Sequence, residues 1–161
     1  ISQGTVGCGG GLGMIYIPYD TLERLTAKTA SIGDVFVVNM DQSNGIIPKE
    51  TDSSRNKFFV VLGFDDDGNV YGGVIVNSRI NPNLPQRIAD FHMPIKCKKY
   101  SFLKYDSFVD CLMLKTASLE KLAKSKLVGK IDGEDIDLIV GTVISSPKEK
   151  RIRLKRFGLV K

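Results

Sequence analysis

The chain has 161 residues, of which 42% are apolar and 25% charged. This is ordinary usage for a globular domain, and it excludes a disordered or a fibrous protein. Its formal charge of +5 at pH 7 predicts an anionic partner, with nucleic acid the first candidate. The three cysteines form no CxxC pair, which favours reduced thiols and a cytoplasmic location. No apolar run approaches the roughly 20 residues of a membrane span, so no membrane partner is expected.

Residues 1–30 are predicted to form a flexible, Gly-rich arm followed by a short helix. The glycines lack the Lys-Ser/Thr that completes a phosphate-binding loop, so no nucleotide site is expected there. Asp20 is a candidate N-cap for the helix, in which Leu22 and Leu25 lie three residues apart on one face. Residues 31–161 are predicted to form one domain that ends in a basic segment.

Short apolar and β-branched segments dominate the chain from residue 34 onward. They predict strands over Asp34–Asn39, Lys57–Phe64 and Val70–Ser78, and further strands around Ala89–Lys96 and Ser107–Leu114. The Asp-Gly pair in Asp65–Asn69 predicts a tight hairpin, and its aspartates lack the spacing of a calcium loop. Strands of this length and spacing indicate a small barrel.

Helical patterns return near the C-terminus. A short turn is predicted at Ser118–Leu122, and a helix over Asp132–Ser145 places Ile136, Ile139, Val140 and Val143 on one apolar face. This face is expected to support a homodimer. The basic tail Lys148–Lys161 contains an alternation from Arg151 to Lys155 that fits a terminal strand or an RNA-binding arm.

Four segments share a resemblance to one family. They are Ser31–Val38, Arg55–Leu62, Val74–Ser78 and Asp106–Leu122. In this order and composition they resemble the MazF/PemK/Kid toxins of type II toxin-antitoxin systems, over about Ser31–Ile144. The resemblance implies a mainly β fold with helices (α+β), built on a small SH3-like barrel with a short N-terminal helix and a C-terminal helix. It also implies a cytoplasmic homodimer that cleaves single-stranded RNA (mRNA) sequence-selectively and is restrained by an antitoxin protein.

The resemblance also implies a set of site residues. The catalytic candidates are Arg55, Lys57, Asn77 and Ser78. The candidates for RNA phosphate contacts are Arg79, Arg87, Lys115 and Thr116. Cleavage through the 2′-hydroxyl requires a base, a cation near the phosphorane and a proton for the leaving oxygen, so no metal or other cofactor is expected.

The sequence departs from the family at the site itself. Lys57-Phe58 replaces an Arg-Pro pair, Asn77 replaces a Thr, and Asp110 stands where one branch of the family has an Arg. An alternative function is therefore a catalytically degenerate barrel that binds RNA or a protein partner without cleaving, and a third is a purely structural interaction domain. The segment Arg55–Phe58 discriminates between these functions. A cation of this segment that points into the groove between the family's paired barrels favours cleavage, and outward-facing cations favour binding alone. The single histidine, His92, is interpreted as structural.

Overall fold

The computed structural model describes residues 5–7, 14–16, 30–47, 49 and 51–161. The strands of this part are β1 (Thr5–Gly7), β2 (Met14–Tyr16), β3 (Asp34–Asp41), β4 (Ser54–Phe64), β5 (Val70–Asn77), β6 (His92–Ile95), β7 (Ser107–Ser118) and β8 (Lys126–Lys130). The helices are α1 (Gln86–Ala89), α2 (Leu119–Ala123), α3 (Gly133–Ser145) and α4 (Arg151–Arg156), with a 3-10 helix at Gln42–Asn44. The α+β prediction is confirmed. The predicted helix from Asp20 lies outside the described residues, as does most of the Gly-rich arm.

Strands β1 and β2 pair with each other, and the other six strands form one antiparallel sheet in the order β6-β7-β5-β4-β3-β8. The predicted hairpin is confirmed between β4 and β5, where Gly68 adopts a positive φ of 69°. The Asp65 carboxylate accepts hydrogen bonds from the backbone N–H groups of Asn69 and Val70, which closes the turn. Pairing between described strands ends at β6 on one side and at β8 on the other.

The sheet has apolar residues on both faces. One face packs against α3 and the C-terminal segment, around Val60, Val74 and Val109. The other packs around Phe59 and carries α2. Packed side chains therefore cover both faces of the middle of the sheet.

The apolar face of α3 is used inside the chain. Ile136, Ile139 and Val143 are buried against the sheet, and Val140 packs beside them. The reason given for a homodimer was therefore wrong, because burial within one chain removes this face from any interface. No helix in the described part of the chain is long and apolar enough to cross a membrane.

The basic tail is helical, so its interpretation as a terminal strand was also wrong. Leu154 on α4 and Phe157, the residue directly after α4, are three residues apart and buried, whereas Ile152 is 74% exposed. The Phe157 ring lies against Gly72, where a Cβ atom would come within 2.6 Å of the ring. The spacing of the buried residues is thus three rather than two, as a helix requires.

The segment before α4 also fastens a bulge in β7. Between its pairings with Ile75 and Gly73 of β5, β7 contains an irregular stretch that includes Leu112 and Leu114. Glu149 accepts a hydrogen bond from the Leu114 N–H at 2.8 Å, and its side chain is fully buried. The Leu114 N–H thereby keeps an acceptor although the strand ladder is interrupted there.

Candidate functional site

Lys57 and Asn77 meet across neighbouring strands. The register between β4 and β5 pairs Phe58 with Val76, which places Lys57 beside Asn77 one step further along. The Lys57 ammonium donates a hydrogen bond to Asn77 Oδ1 at 2.8 Å, and both residues are half-buried. The structure therefore brings together two of the four predicted catalytic residues.

Arg55 lies two residues before Lys57 on β4 and so belongs to the same face of the sheet. Its Nη2 donates to the carbonyl oxygen of Ile47 at 2.9 Å. Its Nε is buried and has no hydrogen-bond partner among the described residues. Arg55 thus holds the loop between β3 and β4 close to Lys57, with one of its donors still unused. Lys57, Asn77 and Arg55 are here called the Lys57 cluster.

The charge of Lys57 is destabilised by its surroundings. Burial lowers the pKa of the Lys57 ammonium below its usual range, and the nearby cations Arg55 and Lys49 lower it further, against an opposing effect of Asp110. Such a group of cations favours the binding of an anion, because a bound anion would relieve the repulsion between Lys57, Arg55 and Lys49. The lowered pKa also makes Lys57 a better proton donor than an ordinary lysine.

Asp110 supplies the negative charge on this part of the sheet. It lies on β7 opposite Ile75 of β5 and opposite His92 of β6. His92 Nε2 is 3.8 Å from Asp110 Oδ1, and the other ring nitrogen, Nδ1, is 3.2 Å from the Ala89 carbonyl oxygen. From the sequence, His92 was interpreted as structural, and Asp110 was named only because it replaces an Arg of one branch of the family. Their contact depends on strand register, which no local pattern reveals.

The remaining candidates are more dispersed. Ser78 and Arg79 are exposed just after β5, and Arg87 is exposed on α1. Lys115 and Thr116 pair with Gly73 and Gly72, near the opposite end of β5 from Asn77. Asn77 is four positions along the strand from Gly73, or about 14 Å at roughly 3.4 Å per residue. Lys115 and Thr116 therefore do not join the Lys57 cluster.

Thr116 instead belongs to a second polar area, which the sequence did not predict. A cleft of about 430 Å³ is lined by Thr116, Asn44 and Lys121, among others. Asn44 donates to the Thr116 carbonyl oxygen at 2.9 Å and accepts from the Lys121 ammonium at 2.7 Å. Lys121 also pairs with Asp41 at 3.4 Å. These groups satisfy one another, which makes the cleft a structural link between the 3-10 helix and α2.

No protein-family model and no curated protein matches this sequence. In the part of the chain that the structure describes, no group of three or more His, Cys, Asp or Glu side chains could hold a metal ion.

Proposed function

We propose that this chain is an endoribonuclease toxin of the MazF/PemK kind, with an SH3-like barrel that cleaves single-stranded RNA without a metal. The observation that carries the proposal is the half-buried Lys57 ammonium, held by Asn77 and surrounded by the cations Arg55 and Lys49. The resemblance in sequence over about Ser31–Ile144 is the other support for the proposal.

In this reaction the ribose 2′-oxygen attacks the adjacent phosphorus while the bond from phosphorus to the 5′-oxygen breaks. The products are a 2′,3′-cyclic phosphate and a 5′-hydroxyl. Lys57 would stabilise the charge that develops on the phosphorane and protonate the leaving 5′-oxygen, which a lowered amine pKa favours. Asp110 is the acidic group whose charge acts on Lys57, and it is the candidate to accept the 2′ proton. Ser78, exposed beside Asn77, would donate to a phosphate oxygen.

A homodimer, an antitoxin protein partner and a cytoplasmic location are parts of this proposal that rest on the resemblance. Because Ile136, Ile139 and Val143 of α3 are buried in the core, the dimer must use other residues. Light scattering of the purified chain at micromolar concentration tests this part, with a dimer expected and a monomer as the contradicting result.

A second candidate function, RNA binding without cleavage, is favoured by a specific observation. Arg55 already donates to the Ile47 carbonyl oxygen, and Lys57 to Asn77, so neither cation is fully available to a phosphate. A barrel with this arrangement could hold an RNA strand electrostatically and lack the donors that accelerate the reaction.

One experiment separates the two functions. The purified chain is incubated in EDTA with a long single-stranded RNA, with the same sequence as a duplex, and with a copy that carries 2′-deoxyriboses. The proposal predicts cleavage of the single strand alone, with 2′,3′-cyclic phosphate ends, and no cleavage of the deoxy copy. Intact RNA that is nonetheless retained by the protein supports the binding function. Equal cleavage of duplex and single strand contradicts the proposed toxin.

A further inference from the structure

The net positive charge of the chain is concentrated in its last fourteen residues. Residues 148–161 contain seven of the 23 Lys and Arg residues but only one of the 18 Asp and Glu residues. This segment therefore carries a formal charge of +6, and the other 147 residues together carry −1. This segment is therefore a candidate to attract an anionic partner, since the rest of the chain carries no net positive charge.

Two of these cations are used to hold the segment in place. Arg153 donates to the Leu114 carbonyl oxygen at 2.8 Å and lies 3.6 Å from Glu149. Arg156 lies 3.7 Å from Asp65 and places its guanidinium carbon 5.0 Å from the centre of the Phe157 ring. Together with the buried side chains of α4, these contacts fix the position of the segment on the sheet.

The other cations of the segment face solvent. Lys148, Lys150, Arg151 and Lys155 are exposed, as is the last residue, Lys161, and among the described residues no acidic side chain forms an ion pair with any of these five. Arg151 donates to the Lys161 carbonyl oxygen at 3.1 Å, within the segment itself. Arg151 and Lys155 are four residues apart on α4 and so lie on the same side of the helix. Lys148 and Lys150 come just before α4 in the same docked segment, and these four exposed residues are here called the tail surface.

We propose that the tail surface binds the phosphate backbone of the RNA strand, outside the Lys57 cluster. The inference rests on the proposed function in naming RNA as the ligand. The chemistry of the surface favours a polyphosphate over an acidic protein, because its neighbourhood on α4 contains one exposed large apolar side chain, that of Ile152. A protein interface needs an apolar core, whereas phosphate contacts need only cations in fixed positions.

The test measures binding rather than cleavage, with a single-stranded oligonucleotide whose riboses are 2′-O-methylated and cannot attack the phosphate. The full chain is compared with a triple variant, Lys148→Gln, Lys150→Gln and Lys155→Gln. The matched control removes the same charge from exposed lysines elsewhere, as Lys98→Gln, Lys104→Gln and Lys126→Gln. Each lost phosphate contact lowers the slope of log affinity against log salt by about 0.7 for a single strand. We therefore expect the tail variant to lose about 2 from this slope, and up to about a hundredfold in affinity at roughly 0.1 M salt. The control should bind nearly as the parent does.

Three results would overturn the inference: equal losses in both variants, no loss in the tail variant, and no binding by the parent chain. A polyglutamate peptide serves as a second probe. If the tail variant loses the peptide but keeps the oligonucleotide, the tail surface takes an acidic protein instead. The outcome is separable from that of the proposed function. A parent chain that binds through the tail surface but leaves every RNA uncut refutes the cleavage proposal alone, and one that cuts RNA with an unimportant tail refutes this inference alone.

Discussion

The packing of Phe157 against Gly72 leads to a prediction about stability that can be worked out from the structure. Phe157 is 2% exposed, and a Cβ atom on Gly72 would lie 2.6 Å from its ring carbon Cγ. Gly72→Ala must therefore push the ring, and with it the C-terminal segment, away from the sheet. This overpacking should lower the free energy of unfolding by about 1–3 kcal/mol.

Phe157→Ala alone should cost about 3–5 kcal/mol, because it leaves a cavity in the core. In the double variant the ring that obstructs the new methyl group is gone, and the methyl fills part of that cavity. The cost of Gly72→Ala should then fall to near zero, so the two changes should be less than additive by at least ~1 kcal/mol. The effect of the alanine on the unfolded chain is the same in both backgrounds and cancels in the comparison.

Urea unfolding followed by circular dichroism measures these free energies. Gly129→Ala is the matched control, because its Cβ would lie 2.7 Å from a ring carbon of Phe102, a different aromatic residue. It should destabilise the chain and add to Phe157→Ala without coupling. If Gly72→Ala costs the same with and without the Phe157 ring, the described docking of the C-terminal segment is wrong.

Three further predictions concern the pH dependence of stability, the reactivity of a buried thiol and the stability of the bulge in β7. A hydrogen bond from the Tyr100 hydroxyl, together with Lys99, lowers the pKa of the Asp135 carboxyl. The stability lost in Asp135→Asn should therefore be largest near pH 7 and shrink as the pH falls below about 4, which acid-unfolding titrations measure. Burial raises the pKa of the Cys111 thiol to about 12, so mass spectrometry should find it alkylated by iodoacetamide at pH 8 only after unfolding. Glu149→Ala leaves the Leu114 N–H without its acceptor and should cost about 2 kcal/mol in urea unfolding.

Each of these has an internal control. Asp137→Asn changes an exposed residue of the same helix and should leave the acid-unfolding curve unchanged. Cys97 is half-buried and should be alkylated before Cys111 in the native protein, and the reverse order would contradict the described burial. Glu120→Ala alters an exposed carboxylate and should cost little, so equal losses for Glu120 and Glu149 would exclude a special role for Glu149.

The central strands could be predicted from the sequence because their apolar residues are nearly continuous. Asp34–Asp41, Ser54–Phe64 and Val70–Asn77 agree with the predicted strands to within a few residues at each end. Strand β8, Lys126–Lys130, was not predicted. It lies at the edge of the sheet, none of its residues is fully buried, and Leu127 is 55% exposed, so it has no apolar alternation to detect.

The sequence could predict less about the basic tail and the candidate site, for two different reasons. In the five residues Arg151–Lys155 every second residue is apolar, a pattern that fits a strand as well as a short helix. Only the spacing of three residues between Leu154 and Phe157 favours the helix over the strand. The resemblance in sequence named Lys57 and Asn77, and the strand register brings the two side chains into contact. The closeness of Asp110 and His92 could not be predicted, because strand β6 adds to β7 through a register that the sequence does not display.

The most direct test of the account is the single-turnover rate of RNA cleavage in EDTA by Lys57→Ala, compared with the parent chain and with Lys126→Ala, an exposed lysine on β8. Removing a cation from a developing phosphorane should slow cleavage about a hundredfold, equivalent to about 3 kcal/mol of transition-state stabilisation. Lys126→Ala should cleave as the parent does, and both variants should unfold in urea as cooperatively as the parent. Cleavage by Lys57→Ala at the parental rate would contradict the assignment of the site to the Lys57 cluster.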